Sequence, residues 1–224
     1  MANTLVVKLN ATGDVVRTTT LLRRLQGDVT WVTAPGNVVL LDGTMPNVRC
    51  VSWQDRSRAL DREYDLVISL EDEVETAALV KESRHEQVFG ACLNGDGRVV
   101  YTDDARGWFD LSLISVHGRQ RADELKYQNR QSYQELIFEG LGFRFEGEKY
   151  VLPVPPETNL QGDVALAPIA GPVWPMNNWA HYQALRSRLE ADGLRVNVLP
   201  RRDSLLEHLG GVASPLGGAL QTRV

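Results

Sequence analysis

Only two cysteines, Cys50 and Cys92, occur in the 224 residues. That excludes a disulfide framework and fits a reducing compartment, with both thiols expected as small buried hydrophobes. Histidine is also scarce: His85, His117, His181 and His208 stand far apart and show no metal-ligand spacing. No apolar run is long enough to cross a bilayer, and the N-terminus lacks the pattern of a secretion signal. Positive charge is not in excess. Lys and Arg number 24 against 29 Asp and Glu, a net charge of −5, and the basic residues form no single tract. A nucleic-acid-binding surface is therefore not expected. The chain reads as cytoplasmic, without a transmembrane segment, and peripheral contact with a membrane surface is left open.

What is present is an ordinary globular composition, 43% hydrophobic and 24% charged, long enough for one large domain or one and a half smaller ones. Strand-like and helix-like patterns alternate from the start. Short apolar runs predict strands over 5–9, 29–33, 48–52, 64–70 and 86–89, and helices over 15–25, 38–41 and 73–81. Such alternation predicts an α/β fold with a mostly parallel sheet and helices on both faces. Residues 94–110 look irregular. A long amphipathic helix is expected over 122–141, where Leu125, Tyr133, Leu136, Ile137 and Leu141 recur near helical spacing.

The Leu152-Pro-Val-Pro-Pro156 stretch is a stiff linker and the best domain boundary. It divides a first α/β domain (1–152), a linker (153–157) and a second, incomplete α/β domain (158–224). In the second, strands are expected over 163–168 and 196–199, helices over 178–191 and 204–209, and a loop over 169–177.

One run carries the chemistry. The first strand enters a small-residue turn, Asn10-Ala-Thr-Gly13, and a helix opens with Asp14 in its first turn. Open α/β sheets place ligands in the crevice beyond the carboxyl ends of their strands, and a carboxylate held there is a candidate general base. The bland alternative is an acidic residue that merely suits the helix dipole. The turn has neither G-x-G-x-x-G spacing nor a Gly-Lys-Ser/Thr ending, so a dinucleotide or phosphate loop is not expected.

Other groups read more plainly. The acidic sets Glu71-Asp72-Glu73 and Asp103-Asp104 lack an Asp-x-Asp arrangement and are expected as helix-opening acids rather than cation ligands. Residues 119–126 are expected to form a mixed-charge solvated helix face. Trp179 is expected to pack into the core from its helix, while Trp174, in a Pro-bounded loop, suits either packing or sugar stacking.

The run Lys8-Leu-Asn-Ala-Thr-Gly-Asp-Val-Val-Arg-Thr-Thr-Thr-Leu-Leu22 resembles the opening of the family 9 glycosyltransferases, the ADP-heptose:lipopolysaccharide heptosyltransferase group. Tyr64-Asp-Leu-Val-Ile-Ser-Leu70 resembles the family's Asp-Leu-Val-Ile-Asp-Leu strand. Tyr133-Gln-Glu-Leu-Ile-Phe-Glu-Gly-Leu-Gly142 is similar to the helix that closes its acceptor domain. The proline linker stands where its hinge would be, and Pro172-Val-Trp-Pro-Met-Asn-Asn-Trp-Ala-His-Tyr-Gln-Ala-Leu185 resembles the start of its nucleotide-sugar domain.

The resemblance implies a GT-B-like fold of two Rossmann-like domains and an inverting, metal-independent sugar transfer that needs no cofactor. The donor would be a nucleotide-sugar of the ADP-heptose type and the acceptor a glycolipid or a small molecule. Asp14 matches the family's base. Asn10, Ala11, Thr12, Gly13 and Thr18, with Thr19, would line the acceptor side. Gly171, Trp174 and Asn177 would face the donor.

Two departures accompany it. Asn177-Asn-Trp179 stands where the family has Lys-x-Trp, so a positive charge toward the donor phosphates is replaced by an amide. The family's later Gly-Asp-rich donor motif is absent from these 224 residues. The chain is therefore expected to be truncated, with impaired activity. The alternative from another class is a non-catalytic fragment of the acceptor domain that binds a sugar or a partner. A nucleotide-dependent oxidoreductase would need a glycine-rich fingerprint that is not there.

Overall fold

The alternating apolar runs build a six-stranded sheet in a computed structural model, which describes residues 2–112, 114–155, 161–169 and 179–199. Its strands are β1 (Asn3–Val7), β2 (Asp28–Thr33), β3 (Val48–Ser52), β4 (Glu63–Ser69), β5 (Arg84–Leu93) and β6 (Val99–Tyr101), in the order β3-β2-β1-β4-β5-β6. The first five are mutually parallel and β6 is antiparallel to β5. Strand order reverses between β1 and β4, where a doubly wound sheet opens its ligand crevice.

Successive side chains of a strand point to opposite faces, so runs apolar throughout must be covered on both sides. Val6, Trp31, Ile68 and Phe89 feed one core, capped by Trp108 and Phe109 of α3 (Arg106–Ser112) and by Ile137 and Phe138 of α6 (Tyr133–Gly140). Leu5, Val7, Val32 and Val67 feed the other, which takes Leu79 and Val80 of α2 (Val74–Glu82). Gly90 has φ +112, and a Cβ there would collide with the Ser69 carbonyl of β4, so β5 can approach only with glycine at this position. Cys50 and Cys92 are only partly buried, and burial pushes the Cys50 thiol up to about 11.

Several expectations change. The helix over 15–25 becomes α1 (Thr12–Thr18) followed by a 3-10 segment, Thr19–Arg23. Thr19 and Thr20 donate their hydroxyls back to the carbonyls of Val16 and Arg17, a competition that tightens the helix. Residues 94–110 are more ordered than expected. Asn94 Oδ1 accepts the N–H groups of Asp96 and Arg98, and Gly97 takes φ 76, so the chain reverses into the β5–β6 hairpin before α3.

The long helix over 122–141 is instead two: α5 (Arg119–Gln128), which follows the short α4 (Ile114–His117), and α6. Ser132 breaks it with a reciprocal capping box, its Oγ accepting the Glu135 N–H while the Glu135 carboxylate accepts the Ser132 N–H. Ser132→Ala is expected to cost about 1 kcal/mol in a urea titration. A change under about 0.3 kcal/mol would show that α6 is held by packing alone.

The chain divides into two units between Val154 and Pro155. The second contains β7 (Val164–Leu166), α7 (Tyr182–Ala191) and β8 (Val196–Val198), with β7 and β8 parallel. Among its described residues, Leu166 and Val198 are the buried apolar ones, covered by Tyr182, Leu185 and Leu189 of α7. The helix expected from 178 begins at Tyr182, so Trp179 precedes it. At 51% exposure, with its ring edge-on to His181 and Tyr182, Trp179 is not the core residue expected. The helix expected over 204–209 lies outside the described residues. Among the described residues, no helix is long and apolar enough to cross a membrane.

Candidate functional site

Beyond Val7, the chain leaves β1 through Lys8 and Leu9, both buried, and surfaces at Asn10 and Ala11 before α1 begins. Lys8 comes to the end of β4, where Glu71 meets it at 2.6 Å, their side chains only 6% and 9% exposed. The same Glu71 Oε1 accepts the backbone N–H groups of Leu9 and Asn10, each at 2.8 Å. A single carboxylate oxygen thus gathers a cation and the two amides that open the turn. Charge-assisted bonds of this kind are the strong ones in a protein.

Asn37, buried in the 3-10 segment Pro35–Leu40, grips the turn from the other side. Its Nδ2 donates to the Leu9 carbonyl at 2.6 Å, and its Oδ1 accepts the Thr12 hydroxyl at 2.9 Å. Between these clamps Ala11 adopts φ 56 and ψ 94, the one positive φ among the described non-glycine residues. Such a conformation costs about 1–3 kcal/mol and survives where its surroundings over-determine it. The Ala11 carbonyl then accepts the N–H groups of Asp14 and Val15 at 2.8 and 3.0 Å, which sets the first turn of α1.

Asp14 stands on that turn with its side chain 32% exposed, its Oδ1 3.2 Å from Arg17 Nη1. Gly13 is exposed, and a Cβ built on it would meet nothing within 4 Å, so the space over the turn is open. Asn10 and Ala11 share this exposed lip, while Thr12 is half-buried with its hydroxyl held by Asn37. Thr18 and Thr19 lie inside. The Thr18 hydroxyl donates to the Asp14 carbonyl and bonds Tyr133, and the Thr19 hydroxyl accepts the N–H of Val151. These two threonines carry the turn from beneath; they do not face the crevice.

Gly171, Trp174 and Asn177 lie outside the described residues. Glu71, expected to open a helix, instead closes the β1 turn, and its neighbour Asp72 accepts the Tyr101 hydroxyl. Among the described residues, no three His, Cys, Asp or Glu are placed to hold a metal ion. His117 ends α4 with its Nε2 3.1 Å from Asp110. The α5 face carries exposed pairs of Arg119 and Lys126 with Asp123, and of Arg121 with Glu124.

Chemically, the arrangement is an accessible carboxylate on a rigid backbone turn at the sheet's carboxyl edge. It can take a proton from a hydroxyl lodged over Gly13. Sequence reasoning missed Lys8, Glu71, Asn37 and Tyr133. The available signal was a lysine at the end of an otherwise apolar strand, which a buried acid must answer.

No protein-family model matches the chain, and neither does any curated protein. Solved structures do. The E. coli heptosyltransferase WaaC with ADP is similar at 16% identity and a TM-score of 0.52, over 98% of this chain and 77% of that one. The same enzyme with ADP-2-deoxy-2-fluoro heptose gives 16%, 0.50, 98% and 79%. A glycosyl transferase family 9 structure from Veillonella parvula DSM 2008 gives 17% and a TM-score of 0.55, over 93% of this chain and 66% of that one. At such identities the likeness is one of fold: this chain has the α/β fold of these glycosyltransferase structures, a mainly parallel six-stranded sheet followed by a second, two-stranded α/β unit.

Proposed function

We propose that this chain is a heptosyltransferase-like glycosyltransferase, moving a sugar from a nucleotide-sugar to an acceptor hydroxyl with inversion. The observation that carries the reading is Asp14, an accessible carboxylate on a turn clamped by Glu71 and Asn37 at the carboxyl edge of β1. In this reading the first unit takes the acceptor against Asn10–Gly13, and the second takes the donor through Gly171, Trp174 and Asn177. The acceptor oxygen attacks the anomeric carbon from the face opposite the nucleotide. A new C–O bond forms, the bond to the diphosphate breaks, and the nucleoside diphosphate leaves with the electron pair. Asp14 takes the hydroxyl proton as the attack proceeds. The resemblance to metal-independent enzymes makes backbone and side-chain donors the source of charge stabilisation for the leaving group.

The donor is an ADP-heptose-like molecule, in keeping with the ligands of the WaaC structures, and the acceptor a lipopolysaccharide-type glycolipid or a small molecule. The setting is cytoplasmic, with peripheral contact at a membrane where the acceptor is a lipid. Calorimetric titration with ADP and with ADP-heptose tests the donor half directly. Saturable binding of both is expected. In a parallel titration with free heptose, binding of that sugar alone would favour a non-catalytic acceptor-domain fragment, and no binding of ADP, ADP-heptose or heptose at millimolar concentration would overturn the reading.

A further inference from the structure

We propose that Tyr133 is a positioning residue, which fixes the Asp14 carboxylate through two separate contacts. The inference rests on the reading of Asp14 as a base.

The first contact runs through the phenol. Tyr133 opens α6, and its hydroxyl lies 2.9 Å from Thr18 Oγ1, which itself donates to the Asp14 carbonyl at 2.7 Å. A threonine hydroxyl has one proton, and here it goes to the Asp14 carbonyl. Tyr133 must therefore be the donor in the Tyr133–Thr18 bond. Burial holds its phenol well above the ordinary tyrosine value, so that proton stays in place at neutral pH.

The second contact runs through the ring. The Arg17 guanidinium lies 5.8 Å from the Tyr133 ring centroid while its Nη1 reaches Asp14 Oδ1. An exposed i,i+3 pair on its own holds a carboxylate loosely. A guanidinium resting on an aromatic face has fewer orientations to lose.

The ring is itself fixed. Trp108 meets it edge-on at 5.7 Å, and the Ser132 capping box sets the backbone one residue before it. One side chain, 115 residues away in sequence from Thr18, thus reaches the backbone of Asp14 by one route and its carboxylate by another.

Two variants separate these routes from simple packing. Tyr133→Phe keeps the ring and loses the tether, while Tyr133→Leu loses both. In Tyr133→Phe, amide hydrogen exchange is expected to quicken roughly tenfold at Asp14, Val15 and Thr18, with the amides of β1 and β4 unchanged. Exchange at those three within twofold of the parent would overturn the proposal, and so would an equal quickening across the sheet. In Tyr133→Leu the Arg17 Nε order parameter is expected to fall to that of a free surface arginine. An unchanged value would overturn the ring contact; should this variant not fold, an Arg17 Nε order parameter in the parent no higher than that of a free surface arginine would overturn it instead. ADP released from ADP-heptose should show kcat down about tenfold in Tyr133→Phe at unchanged KM. An unchanged kcat in an active parent overturns the positioning role, whereas an Asp14→Asn chain as active as the parent overturns the base.

Discussion

Replacing Glu71 with alanine is expected to destabilise the first unit by about 3–5 kcal/mol, because it strands the Lys8 ammonium in a buried site with no counter-charge. The Leu9 and Asn10 amides lose their acceptor in the same step. Lys8→Met leaves the mirror image, a carboxylate still hydrogen-bonded by two amides, and should cost less than Glu71→Ala. The double variant Lys8→Met/Glu71→Gln removes both charges and keeps an amide oxygen for the two N–H groups. It should lie within about 1–2 kcal/mol of the parent, since a buried pair adds little beyond what its partners need from each other. Urea denaturation of the parent, Lys8→Met, Glu71→Gln and the double variant forms a thermodynamic cycle whose coupling term isolates the pair. A loss below about 1 kcal/mol for Glu71→Ala would mean that water or rearrangement rescues Lys8, and that the turn does not depend on Glu71.

Asp14→Asn should act on chemistry and hardly on folding. The carboxylate is one-third exposed and its bond to Arg17 is a surface pair, so the stability change is expected within about 0.5–1 kcal/mol. The amide keeps the shape and cannot take a proton from the acceptor. General bases contribute typically ~10²–10⁴ in rate, and turnover of ADP-heptose should fall by that factor with KM little changed. A rate within tenfold of the parent would remove Asp14 from the mechanism. The contrast between the two carboxylates is itself informative: Glu71 should dominate the unfolding curve and Asp14 the turnover.

Strands β1 to β4 and helix α2 were legible to within about two residues, because short runs rich in Val, Ile and Leu between polar turns have few other ways to hide. The break between α5 and α6 was also written locally, as Ser132 with Glu135 three positions on, but the apolar spacing across it looked continuous. The β5–β6 reversal was hidden in Asn94-Gly-Asp-Gly97, which reads equally well as an unstructured loop.

The candidate site divides differently. Asp14 and its exposed lip lie in one contiguous run and could be found there. The groups that hold them come from far along the chain. Asn37 is 25 residues from Thr12, Glu71 is 63 from Lys8, and Tyr133 is 115 from Thr18. No periodicity in a single sequence encodes such pairings, because they exist only once strand order and helix packing are set. The buried place of Thr18 and Thr19 was likewise invisible, since hydroxyl side chains serve a lip and a floor equally well.

The three-residue β6 has a bearing on solubility. A parallel array that ended at the ten-residue β5 would offer a long bare rim of amides and carbonyls to any other extended chain. Folding Val99–Tyr101 back along Ala91–Leu93 covers the last three residues of that rim with a border too short to recruit a neighbour, and the charged Asp103–Arg106 pair follows directly after it. Shortening the 94–98 turn so that this flap could not close would be felt first as clumping in concentrated solution, well before any loss at the crevice.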